Sequence, residues 1–211
     1  MVKELTVDIW QVNLDQDEQT LKELESLLSE EELARAHRLK IEDVKRRFVA
    51  SRGMLRRILA RYTGGKSEDL KFQYNSNGKP ELIQSKVCFN LSHSGDVALY
   101  AVTLDRAVGV DIEKVKENIN YKELAKRYFS EQEFNSIMSH PESQQKEKFY
   151  RCWTRKEAYL KAKGSSIAQL LDKNVDTSNW FVADLDSIGS SYIAAVAVEG
   201  ESADVRYHKS F

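Results

Sequence analysis

Two acids on one face of a strand can hold a cation, and Gly109-Val110-Asp111-Ile112-Glu113 offers such a pair. Side chains alternate along a strand, so Val108, Val110 and Ile112 point one way while Gly109, Asp111 and Glu113 point the other. Carboxylates held that close raise each other's pKa and repel unless a cation lies between them, and hard oxygen ligands suit magnesium. The triplet alone is a weak signal and fits an exposed strand face with two solvated acids better than a metal site. A second group is Trp153-Thr154-Arg155-Lys156-Glu157-Ala158-Tyr159-Leu160-Lys161. At helical spacing Trp153, Glu157 and Lys161 fall in line, with Lys156 and Leu160 beside them, and Glu157 with Lys161 also fits a plain surface ion pair. A third carboxylate and a lysine facing Asp111 and Glu113 would complete a site for a metal-bound diphosphate. In Phe89-Asn90-Leu91-Ser92-His93-Ser94-Gly95, a hydroxyl, an imidazole and backbone N–H groups meet at a glycine turn and could face a phosphate or an adenine edge. Gly78-Lys79-Pro80 reads as an ordinary turn with Lys79 in solvent.

The elements that would position these residues follow from periodicity. A strand is expected over Leu5 to Val12, and a helix from Asp17 to Leu28. Ser29 opens another helix with Glu32 as its capping-box partner. An apolar stripe of Val44, Phe48, Leu55, Ile58, Leu59 and Tyr62 marks a helix ended by Gly64-Gly65. Strands follow at Lys71 to Tyr74, Val87 to His93, Val97 to Thr103 and Val108 to Glu113. Helices are expected near Tyr121 to Tyr128, Ser130 to Met138 and Ser143 to Lys163, then strands near Trp180 to Asp184, Tyr192 to Val198 and Ala203 to Tyr207. Helices followed by antiparallel strands thus occur twice, which favours an α+β fold of two lobes, residues 1–105 and 106–211, with a site at their junction.

Charge is unevenly placed: ten Lys and Arg stand against Glu42 and Asp43 between Arg35 and Arg61, a local balance of +8 in a chain of net charge -1. That segment suits a phosphate-rich ligand, although a solvated helix face accounts for most such clusters. A nucleic-acid module built on this helix is a competing reading, but it gives the three acids no reason to gather. Cys88 and Cys152 lack metal spacing and are expected as reduced core residues. The opening MVKELTVDIW lacks a long apolar stretch and no run is long enough to cross a bilayer, so a cytoplasmic protein without membrane contact is expected.

Asn77-Gly78-Lys79-Pro80, Phe89 to Gly95, Gly109 to Glu113 and the string from Trp153 to Gly164 resemble, in identity and order, the motifs of 4'-phosphopantetheinyl transferases of the larger, surfactin-synthetase-activating type. The resemblance covers roughly residues 29 to 164. It implies two pseudo-symmetric α+β lobes with coenzyme A between them, and transfer of the 4'-phosphopantetheine arm to a serine of an apo acyl- or peptidyl-carrier protein with release of 3',5'-ADP. It implies Asp111, Glu113 and Glu157 as Mg2+ ligands, Glu157 as the candidate base, directly or through a metal-bound water, and Lys161 on the diphosphate with Lys156 nearby. Ser92, His93, the Gly78-Lys79-Pro80 turn and an arginine, Arg52 first and Arg47 or Arg35 after it, would hold the adenine and 3'-phosphate. A scaffold that only binds carrier domains is a third reading, against which all the metal and diphosphate residues are present. Lys114, Lys116, Lys122 and Lys126 with Tyr128 or Phe129 are the expected docking patch for an acidic carrier. A monomer is expected, because the two halves already supply the paired interface.

Overall fold

The alternation that places Val108, Val110 and Ile112 on one strand face carries through to a layered molecule. The structure is a computed structural model and describes residues 6–166 and 176–209. The chain runs β1 (Thr6–Asn13), α1 (Glu18–Glu25), α2 (Glu30–Arg38), α3 (Glu42–Thr63), β2 (Phe72–Tyr74), β3 (Pro80–Leu82), β4 (Val87–Ser94), β5 (Val97–Leu104) and β6 (Val108–Lys114). It continues with α4 (Tyr121–Tyr128), α5 (Glu131–Met138), α6 (Glu142–Ala162), β7 (Trp180–Asp184), a 3-10 turn at Asp186–Ile188, β8 (Tyr192–Glu199) and β9 (Asp204–Lys209). Capping chemistry sets several helix ends as expected. Ser29 and Glu32 form the capping box of α2, and Gly64 closes α3 with a left-handed φ of 68°.

One sheet has the order β4-β5-β1-β9 and a second the order β6-β8-β7. Trp10, Val12, Ala98, Tyr100 and Val102 face α1 to α3, while Val7, Ile9, Leu99 and Ala101 meet Val108, Val110, Ile112 and Val196 of the second sheet. The other face of the second sheet, with Ala195 and Ala197, packs on Phe149, Ala158 and Ala162 of α6. The layers are therefore helices, sheet, sheet, helices. The two sheets share a central apolar layer, which is why β5 is buried at six consecutive positions.

The last strand departs from expectation. Instead of completing the second lobe, β9 pairs in parallel with β1, Val7 opposite Val205 and Trp10 opposite His208. The His208 ring stacks on Trp10 with centroids 4.4 Å apart, and its Nε2 lies 2.8 Å from Asp8 Oδ1. The 105/106 division thus follows chain order but not sheet membership. Smaller differences are local: α1 stops at Glu25, and Val44 is exposed at the start of α3 rather than part of the buried stripe. Cys88 and Cys152 are free and half-buried, and desolvation raises both thiols, Cys152 to about 12. No helix among the described residues is long and apolar enough to cross a membrane.

Candidate active site at the junction of the sheets

The site begins with a missing side chain. A Cβ built on Gly109 would lie 2.0 Å from the Ala158 carbonyl oxygen and 2.4 Å from the Ala162 nitrogen, so only glycine lets the α6 backbone rest on β6. Across the ladder Gly109 faces Ala197 and Asp111 faces Ala195, which keeps that surface low. This contact brings Lys161 over the strand. Its Nζ donates to Asp111 Oδ1 at 2.6 Å and to Ser92 Oγ at 2.9 Å, and the Ser92 hydroxyl donates to the same Asp111 oxygen at 2.9 Å. Asp111 is only 3% exposed, and its Oδ2 has no hydrogen-bond partner. Leaving a buried polar atom unpaired costs about 1–3 kcal/mol and more on a charged group such as a carboxylate, a cost that an approaching cation or donor would recover.

Glu113 lies two residues along on the same face and accepts from Ser94 Oγ at 3.2 Å. Burial, and then the charge of Asp111, push its pKa up against the opposing pull of Ser94 and Lys161. Glu157 sits half-buried one helical turn before Lys161. Among the described residues no three His, Cys, Asp or Glu side chains form a ready cage for a metal, so the expected convergence of Asp111, Glu113 and Glu157 is not preassembled. The donor set still fits Mg2+. One or two carboxylates with substrate phosphates and water satisfy this ion, and here a buried orphan oxygen stands beside a second, mutually repelling carboxylate.

A seam of side-chain bonds holds the two edge strands in register. Asn90 Oδ1 accepts from the Val110 N–H at 2.9 Å, and Ser94 Oγ accepts from the Lys114 N–H at 3.0 Å. With Ser92 on Asp111, the three alternate positions 90, 92 and 94 of β4 stand in for a backbone ladder to β6. Asn90 and Ser94 were not among the expected site residues, although polar side chains at alternate positions of an otherwise apolar strand were a visible signal. Replacing Asn90 with Ala leaves the buried Val110 N–H unsatisfied. Urea unfolding of Asn90→Ala is expected to show a loss of about 2 kcal/mol, and turnover to fall as β6 loosens; an unchanged midpoint would remove the seam from the account.

A cleft of about 290 Å³ opens beside this cluster, lined by Arg52, the Gly78-Lys79-Pro80 turn, Asn90 and Lys161. Larger hollows of about 860 and 600 Å³ lie on the second lobe, but acids and bases lining them already pair with one another, as in Arg151 with Glu147 and Lys156 with Glu133. Among the described residues the buried polar side-chain atoms without a partner are Glu32 Oε1, Arg52 Nη1 and Asp111 Oδ2, and the last two border the 290 Å³ cleft or the lysine that lines it. The smaller cleft is the chemically primed one.

Several expected residues have other occupations. Arg47 is tied to Asp96 at 2.7 Å, while Arg52 keeps a free buried nitrogen. Lys79 is not in solvent: its ammonium donates to the carbonyls of Val108 and Ala162, each at 3.1 Å, strapping the β2–β3 turn to β6 and α6, and burial lowers its pKa. Lys156 is 4% exposed and bonds Glu133 at 2.7 Å and the Tyr128 carbonyl, about 140° around α6 from Lys161. Its place beside the diphosphate is therefore corrected. The Ser92 hydroxyl is engaged by Asp111 and Lys161. His93 is exposed at the end of β4, and partial desolvation of its ring, then the charges of Lys161 and Arg47, lower its pKa. Within the expected docking patch, Phe129 is 2% exposed in the core and cannot meet a partner.

Residues 12–104 match the family model described as 4'-phosphopantetheinyl transferase, N-terminal, and residues 107–207 match that of the 4'-phosphopantetheinyl transferase superfamily. The chain is 45% identical over 168 residues to the 4'-phosphopantetheinyl transferase HetI of Nostoc sp., covering 78% of this chain and 71% of that one. It is 36% identical to a putative 4'-phosphopantetheinyl transferase of Synechocystis sp., covering 74% and 64%. It is 35% identical to the 4'-phosphopantetheinyl transferase Sfp of Bacillus subtilis, covering 65% and 56%. The matches thus span between 56% and 71% of the length of these relatives.

Proposed function

Because this chain belongs to the 4'-phosphopantetheinyl transferase superfamily, we propose that it moves the 4'-phosphopantetheine arm of coenzyme A to a serine of an apo acyl- or peptidyl-carrier protein, with magnesium, releasing 3',5'-ADP. The observation that carries the reading is the Lys161, Ser92 and Asp111 cluster, with its bare buried carboxylate oxygen, beside a cleft that also presents the unpaired Arg52. Such a cleft suits a polyanion that presents phosphate groups at two separate points. Lys161 meets the diphosphate, and Arg52 the 3'-phosphate.

Asp111, Glu113 and Glu157 would hold Mg2+. When bound, the ion supplies charge neutralisation to the phosphoryl oxygens. The chain's own contribution is positional and electrostatic. The carrier serine Oγ forms a bond to the phosphorus bearing the pantetheine arm, the bond from that phosphorus to the bridging oxygen breaks, and the bisphosphate leaves. Glu157 takes the serine proton, and Lys161 offsets the charge that builds on the leaving oxygen. Because Lys161 is already held by Asp111 and Ser92, it needs little reorganisation to do so.

The basic helix does not favour a nucleic-acid surface, since Arg46, Arg47, Arg56 and Arg57 each have a carboxylate partner. Mass spectrometry of an apo carrier incubated with the protein, coenzyme A and magnesium chloride tests the proposal. The carrier is expected to gain the mass of the arm, to gain nothing when EDTA removes the metal, and to gain it again on magnesium addition. A carrier that is retained but never modified would instead favour a scaffold.

A further inference from the structure

Arginines near a phosphate site face a conflict, because a carboxylate partner that orients a guanidinium also neutralises it. An aromatic face orients without neutralising, and leaves the hydrogen-bond donors free. On α3, Arg46, Arg47 and Arg57 take the first course, and Arg56 has both a carboxylate in Glu32 and a ring in Phe72. Arg35 on α2 and Arg52 on α3 take the second. Their guanidinium carbons lie 5.3 and 5.8 Å from the centroid of Phe48, and neither makes a hydrogen bond or ion pair among the described residues. Phe48 precedes Arg52 by one turn of α3 and packs against the first-lobe core, so its ring is a fixed platform. Two guanidinium groups gathered at one ring repel each other, and Arg52 also buries Nη1 without an acceptor. A doubly charged acceptor would relieve both costs.

We propose that Phe48 is a positioning residue that holds Arg35 and Arg52 as a two-guanidinium clamp for a phosphate monoester dianion on the donor, and so sets the preference for donors that carry one. The proposal rests on the transferase reading and deepens it, since it assigns donor specificity to a ring that touches no substrate. Phe48→Leu removes the platform and retains an apolar side chain in the core.

The test compares coenzyme A with dephospho-coenzyme A, which lacks the 3'-phosphate, using the full chain, magnesium and an apo carrier, with calorimetric affinities for both donors alongside. Wild type is expected to prefer coenzyme A. Phe48→Leu is expected to raise KM for coenzyme A roughly tenfold, with kcat and the dephospho-coenzyme A parameters unchanged, and Phe48→Tyr to restore the preference. A Leu variant that weakens both donors equally, or keeps the wild-type ratio, overturns the proposal, as does a Tyr variant that behaves like Leu. Wild-type transfer without any preference would remove the monoester subsite and leave the transferase standing. Absence of transfer from either donor would remove the transferase reading, and the calorimetric ratio would still decide the clamp.

Discussion

Asp111→Asn is expected to lower turnover by about 10³-fold, the scale for loss of one preorganised electrostatic element in a transfer site, while the melting temperature stays within about 3 °C of wild type. The asymmetry follows from the geometry. Asn keeps the shape, and its Oδ1 can still accept from Ser92, so packing is preserved. What disappears is the negative charge that holds Lys161 at 2.6 Å and the bare buried oxygen. A neutral amide in that buried position costs less to desolvate than a carboxylate, although its NH2 also finds no acceptor there, and this offsets part of the lost ion pair. Steady-state carrier modification and a thermal melt together decide it. A variant that keeps more than about a tenth of wild-type turnover would show that the carboxylate is a bystander.

Gly109→Ala is the mutation with the largest expected effect on stability. Overpacking usually costs about 1–3 kcal/mol and occasionally more, and here the colliding atoms are helix backbone, which cannot rotate aside. A cost of about 4 kcal/mol is expected, lowering the melting temperature by about 10 °C for a chain of this size. Pushing α6 off β6 also moves Lys161 from Asp111, so activity should fall at least about 100-fold even where the protein remains folded. Trimming Ala158 to Gly in the same chain should not rescue it, because the blocking atom is the Ala158 carbonyl oxygen. A melting temperature within about 2 °C of wild type would mean that the strand and helix do not touch as described.

Both predictions concern residues visible in the sequence, and their legibility has a common cause. Strand period placed Asp111 and Glu113 opposite Val110 and Ile112, and helical period placed Glu157 in line with Lys161. Burial by alternation is a local property, so it survives reading one segment at a time. The same holds for the Ser29 and Glu32 capping box and the Gly64 stop. Lys79 shows where local reading ends. A lysine in a glycine-proline turn looks solvated, yet two carbonyls distant in sequence, from Val108 and Ala162, capture it. Lys156 is similar: its neighbours in sequence suggest the diphosphate, but its face of α6 turns to Glu133 and Phe129.

The sequence by itself determined the α+β elements, the acid-bearing strand face, the lysine helix and the glycine between them, because periods of two and 3.6 residues dictate which side chains share a surface. Only the tertiary structure decided the parallel docking of β9 on β1, the polar seam from β4 to β6, and which arginines of the basic helix carry a carboxylate and which stand on a ring. Those outcomes depend on pairings between residues far apart in the chain. Such pairings are set by how the shared apolar layer closes rather than by any pattern along a single segment.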